Sequence, residues 1–201
     1  DPPRVISIGQ DGGVHVFDAV TGAHVVDLRA HAKACLSVAV DPTLGLIATG
    51  GADHQVFVHD VGGRFVAALD TLPPGVTPRL DIQGHAGALA FDTARRRLVV
   101  ANRRDTLVVF DVDRWQPSWV QPRTEGQQYS AHVAMAAHSP YYVTAHSGVG
   151  DWTFIDARTL LPEDVGPANF PAAIVSALRF SPDSRLLLVT ARDDSVSLWD
   201  L

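Results

Sequence analysis

The sequence predicts an all-β chain made of small repeated antiparallel sheets, and three observations carry that prediction. Five short runs each close on an aspartate behind an aromatic or similar residue: GGVHVFD at Gly12–Asp18, HQVFVHD at His54–Asp60, DTLVVFD at Asp105–Asp111, DWTFID at Asp151–Asp156 and DSVSLWD at Asp194–Asp200. The closing aspartates stand 42, 51, 45 and 44 residues apart. A second marker runs in step with the first: SVAVDP ends at Pro42, ALAFDT at Thr93, MAAHSP at Pro140 and LRFSP at Pro182. Two markers in phase define a module of about 45 residues, a period that belongs to repeat architectures. Within each module, short runs rich in Val, Ile and Phe alternate with turn residues, and no helical period of useful length occurs.

The elements follow in order within one module. An inner strand such as LSVAVD leads to a turn at Asp-Pro or Ser-Pro, and a second strand such as LIATGG follows. A tight turn around Asp and Gly then leads into a third strand, QVFVHD in the second module. A Gly-containing turn, Thr21-Gly22 or Gly62-Gly63, comes next, followed by an outer strand such as His24–Leu28 or Arg64–Leu69. Four strands per module is the pattern of a radial array of sheets. A sheet this small cannot bury both faces alone, so it must stack on its neighbours.

Composition narrows the function classes. The 201 residues are 46% hydrophobic and 19% charged, with a net charge of −6, a fraction suited to a buried core. No apolar run reaches the roughly 18 residues of an ordinary membrane-spanning helix. Cys35 is the one cysteine, which excludes an internal disulfide framework and a cysteine-based zinc cluster. The acidic balance, with Lys33 the one lysine, argues against nonspecific nucleic-acid binding.

With these markers in place, the modules resemble the WD repeat of β-propeller proteins, most clearly in VSALRFSPDSRLLLVTARDDSVSLWD at Val175–Asp200. The resemblance covers about four and a half units. It implies a WD-repeat β-propeller with four-stranded antiparallel blades. The expected blade pieces are about 1–30, 31–70, 84–121, 130–165 and 174–201 of a single propeller segment, three complete blades flanked by two incomplete three-stranded ones. The phase places Asp1 in the turn after a missing inner strand and Leu201 just after a third strand. The expectation is therefore an excerpt of a larger propeller, its remaining blades supplied by flanking sequence of the same parent chain. A five-bladed ring with two deficient blades is the other arrangement.

The resemblance also implies a structural network linking a His before the inner strand, a Ser or Thr on the second strand, an Asp in the following turn and the Trp of Trp-Asp. The second module matches with His31, Thr49 and Asp53, and His59 stands in the Trp position. The first keeps Ser7 and Asp11; the third has His85, with Val100 at the hydroxyl position; the fifth keeps Asp193 and Trp199. Read without the repeat, a carboxylate, an imidazole and a hydroxyl in this relation would suggest an activated nucleophile. The structural reading is preferred, because a buried Asp must accept hydrogen bonds and the His ties its loop to that turn.

The search for other chemistry yields no catalytic residue, cofactor-binding residue or metal ligand. The nine histidines show no His-x-His or Glu-x-x-His spacing. The inner strands CLSVAV, AGALAF, HVAMAA and VSALRF are apolar or small except for His132 and Arg179, which disfavours a metal in a central channel. No Gly-Lys-Ser/Thr sequence marks a phosphate loop.

What remains is the loop surface. The resemblance implies that turns between second and third strands, with the connections into inner strands, form a rim that docks protein partners. Candidates are His54, Gln55, Arg103, Arg104, Asp105 and Arg192, together with the connections at Thr71–Arg79 and Arg123–Tyr129. Arg95-Arg96-Arg97 reads as a solvated charge run, and Trp115, Trp119 and Trp152 as packing between blades or as interface anchors. The expected function is a noncatalytic protein-interaction scaffold in a multisubunit assembly, in the cytoplasm. The alternatives are a propeller enzyme or ligand- or metal-binding propeller, and a sensory or targeting segment of a longer chain. The unpaired Cys35 supports an intracellular setting.

Overall fold

The computed structural model describes residues 2–70, 86–102, 106–120, 130–134, 140–146, 152–163, 175–181 and 183–200. All the regular structure in them is strand, arranged as five antiparallel sheets in which sequence neighbours pair. This is a β-propeller of WD-repeat type, with blades of three or four strands. The chain divides into two compact units, Asp1–Leu89 and Ala90–Leu201.

The first unit holds two sheets. One comprises β1 (Arg4–Ile8), β2 (Val14–Asp18) and β3 (His24–Asp27); the other comprises β4 (Cys35–Asp41), β5 (Leu46–Gly51), β6 (Gln55–Asp60) and β7 (Phe65–Asp70). Alternation along β2 turns Val14 and Val16 to one face, where they pack with Leu28, Cys35 and Ile47 in a buried cluster. Residues of both sheets supply that cluster. Stacking therefore buries faces that neither three- nor four-stranded sheet could bury by itself. Burial pushes the Cys35 thiol up to about 11, so this cysteine behaves as a small apolar core residue.

In the second unit, the sheet of β8 (Ala86–Asp92), β9 (Arg97–Asn102), β10 (Thr106–Asp111) and β11 (Gln116–Val120) is followed by that of β12 (Ser130–Ala134), β13 (Tyr141–His146), β14 (Trp152–Asp156) and β15 (Pro162–Glu163). The last sheet comprises β16 (Val175–Phe180), β17 (Leu186–Ala191) and β18 (Val196–Asp200). Val143, Phe154, Leu178, Leu187 and Val189 form a core shared by these last two sheets, with Trp152 and Trp199 packed against it. Trp119 sits opposite Val109 on β11, while Trp115 precedes that strand with φ 53°.

The recurring motif aspartates have a local physical role. Asp18 accepts the N–H groups of Val20 and Thr21, and Asp111 those of Asp113 and Arg114. Asp156 accepts those of Arg158 and Thr159, and Asp60 that of Arg64. At the end of these four strands the carboxylate satisfies the donors of the turn it opens, which is why the residue recurs in phase. Asp41 does the same after the inner strand, accepting from Thr43 and Leu44.

Arg95-Arg96-Arg97 is corrected by the structure: it is not merely a solvated run. Arg95 meets buried Asp92, Arg96 forms a forked pair with Asp113, and Arg97 donates 2.6 Å to the Ala157 carbonyl. Alternating strand direction and the turn at Arg96, with φ 52°, aim the three guanidinium groups at three different acceptors.

Candidate functional site

His31 lies in the connection before β4, Thr49 on β5 and Asp53 in the turn between β5 and β6, and the fold brings all three together. The His31 ring places Nδ1 3.0 Å from Asp53 Oδ1 and Nε2 3.0 Å from Thr49 Oγ1. With its proton on Nδ1, the ring donates to the carboxylate and accepts the Thr49 hydroxyl proton on Nε2. Asp53 also accepts the Ala32 N–H at 2.8 Å and the Gln55 N–H at 3.2 Å. Burial pushes the Asp53 carboxyl up, but the Ala32 and His31 hydrogen bonds outweigh it and hold the group below its ordinary value. Gly51 belongs to the same construction. A Cβ there would land on both the His31 ring and the Asp53 carboxylate.

Around this triad stand residues that sequence reading passed over. Phe57 stacks on His31 with centroids 4.5 Å apart and planes 14° from parallel. The Arg29 guanidinium lies 4.5 Å over the Phe57 ring and 4.9 Å over Phe65, a doubled cation–π contact. Alternation on β6 offers a signal for Phe57, since it shares a face with Gln55 and His59. His59 points its Nε2 at the Arg29 N–H, 3.1 Å away, while its Nδ1 finds no hydrogen-bond partner among the described residues. Burial lowers the pKa of this ring and keeps it neutral.

The remaining network candidates are arranged differently. Ser7 pairs in register with His15, and the Asp11 carboxylate accepts the Gly13 N–H within its own turn. Asp193 likewise accepts the Ser195 N–H, and Trp199 donates its indole N–H to the Ser197 hydroxyl. His85 lies outside the described residues.

Of the partner-binding candidates, His54 lies in the turn from β5 to β6, half-buried at φ 67°, and Gln55 is the first residue of β6. Arg192 is exposed in the turn from β17 to β18. Arg103, Arg104 and Asp105 lie outside the described residues, as do the connections at Thr71–Arg79 and Arg123–Tyr129.

The second unit holds a buried polar constellation with no counterpart in the sequence reading. Tyr142, fully buried on β13, donates 2.8 Å to the Asp92 carboxylate at the end of β8. Arg95 adds its main-chain N–H at 3.0 Å and a guanidinium contact at 3.2 Å to the same carboxylate.

Similarity to known proteins agrees with this geometry. The family model for the WD domain, G-beta repeat, matches residues 22–60 and 168–200. The first match contains the whole His31–Thr49–Asp53 arrangement. The chain carries WD repeats at both of these segments. A Drosophila melanogaster protein, Protein LST8 homolog, is 26% identical over 160 residues, covering 75% of this chain and 46% of its own length. The WD-repeat chain thus spans about half the length of the curated relative it matches. The crystal structure of the computationally designed Ika8 protein superposes with a TM-score of 0.75 at 21% identity, over 100% of this chain and 56% of that one. That likeness concerns the fold alone.

Proposed function

We propose that this WD-repeat chain is a noncatalytic scaffold that presents the turns between second and third strands to protein partners in a multisubunit assembly. The observation that carries this reading is the burial of its most enzyme-like arrangement. Thr49 is 0% exposed and His31 4%, with Phe57 stacked on the imidazole, so the hydroxyl that the ring would activate is out of reach of a substrate. A nucleophile must touch its substrate; a strut need not. Rigid sheets with polar turns at His54–Gln55 and at Arg192 supply what interaction modules use: preformed loops on a fixed frame.

The setting proposed is intracellular and cytoplasmic. Cys35, buried and unpaired, fits a reducing compartment. Among the described residues, no helix is long and apolar enough to cross a membrane. The net charge of −6 favours protein partners over nucleic acid.

The test is affinity purification of the tagged chain from the cells that encode it, followed by reconstitution with the most enriched partner. A partner that binds stoichiometrically and is weakened tenfold or more by Gln55→Glu or Arg192→Glu is expected. Equal affinity for wild type and both variants would remove these turns from the interface.

A further inference from the structure

We propose that His15 on β2, with His24 and Asp27 on the adjoining edge strand β3, forms a binding site for a divalent transition-metal ion, with Zn2+ as its natural probe. In the register of β2 against β3, His15 stands directly opposite Asp27 and Val16 opposite Val26. The next pair is Phe17 with His24, because a β-bulge between Val16 and Phe17 leaves Val25 as the extra residue. Residues three apart on a regular strand face opposite ways; one bulge corrects the phase and returns His24 to the face of Asp27. Three ligand-type side chains therefore converge on one side of a two-strand ribbon.

Their atoms are close enough to share an ion. His15 Nδ1 lies 2.7 Å and His24 Nε2 2.6 Å from the same Asp27 Oδ1, and the three ligand atoms all lie within 4.8 Å of one another. A tetrahedral zinc site with bonds of about 2.0–2.1 Å needs ligand atoms roughly 3.3 Å apart, so the movement required is well under the length of a side chain. Two imidazoles and a carboxylate match the preference of Zn2+ and Cu2+, and suit Mg2+ or Ca2+ poorly, since those ions take oxygen. Half-exposed ligands leave the fourth position open to water or to a partner's side chain.

The rings are also held in place. Phe17 packs edge-on to His24 at 5.6 Å and lies 6.4 Å from His15. Gly13 leaves space that the His15 ring fills, since a Cβ at that residue would meet His15 Nε2 at 2.8 Å. In the metal-free state each ring presents an N–H to Asp27. On binding, the ring proton moves to the far nitrogen, His15 Nε2 or His24 Nδ1, and the freed lone pairs face the ion.

Calorimetric titration of the whole chain with Zn2+, with Mg2+ as the comparison ion, tests the site. One Zn2+ per chain is expected, weakened at least tenfold by His24→Ala or Asp27→Asn and unchanged by Glu163→Gln in the other unit, with unaltered urea midpoints in the absence of metal. Electron paramagnetic resonance of the wild-type chain with one equivalent of Cu2+ gives a reading that needs no variant. Coupling to two imidazole nitrogens is expected, lost in His15→Ala. Zn2+ affinity equal in wild type and in the His24 and Asp27 variants, or a Cu2+ spectrum indifferent to His15, would overturn the proposal.

Discussion

Tyr142 and Asp92, 50 residues apart in sequence, meet through a 2.8 Å hydrogen bond that ties β13 to the end of β8. Both side chains are buried, and the carboxylate has Arg95 as its cationic neighbour. A phenol that donates to a buried carboxylate replaces water the carboxylate can no longer reach.

Tyr142→Phe keeps the ring and removes the donor, so it is expected to destabilise the chain by about 1–3 kcal/mol, the range for losing a hydrogen bond to a buried charged group. The urea midpoint measures it. Burial, with Asp92 close by, pushes the Tyr142 phenol up to about 12 from its usual 10.0. The stability it contributes is therefore whole below pH 10 and lost as pH rises toward 12, a loss that Tyr142→Phe abolishes.

Asp53→Ala strips the triad of its carboxylate and leaves the His31 Nδ1–H and the Ala32 N–H with one partner fewer. A loss of roughly 1–3 kcal/mol in denaturant unfolding is expected. An unchanged midpoint would mean that the triad contributes nothing to stability.

Because Asp53 is held below its ordinary value in the folded state, its contribution is present above the unfolded carboxylate pKa of 3.8 and lost as pH falls through the lower folded value. His59 acts earlier on the acid side. Burial lowers its pKa from 6.5, so the unfolded chain takes up a proton that the folded chain refuses. Stability should begin to fall as pH drops below 6.5 and continue down to the folded value. A His59→Gln variant, which cannot titrate, should show a flatter curve as pH falls below 6.5; coincident curves would contradict the assignment.

Gly51→Ala places a methyl group against the His31 ring and the Asp53 carboxylate. Since the ring is already pressed by Phe57, it has little room to yield, and a cost of about 1–3 kcal/mol is expected from overpacking. Thermal unfolding compared with Asp53→Ala shows whether both act on one network: the double variant should lose less than the two single losses together.

How far the molecule could be read from its sequence depends on the range of the interaction involved. The strand-closing aspartates Asp18, Asp60, Asp111 and Asp156 satisfy donors two to four residues away, so their chemistry and their spacing appear together in the linear chain. His31, Thr49 and Asp53 recur at offsets that the repeat makes recognisable. Phe57 could have been placed by strand alternation, but its stacking on His31 depends on how the loop before β4 folds back. The links Tyr142–Asp92 and Arg97–Ala157 join separate modules, and no local pattern announces which residues will face each other there.

Local order was thus written in the sequence: alternating Val and Ile faces, turn-capping aspartates and a repeated module too thin to bury itself alone, which together require stacked small sheets. The tertiary structure decided what depends on register and on neighbouring modules. A single bulge beside Val16 turned His24 toward Asp27, and burial made Thr49 unreachable and His59 neutral. The division follows from physics: turn chemistry acts within a few bonds of chain, whereas desolvation and cross-strand pairing exist only once distant segments have met.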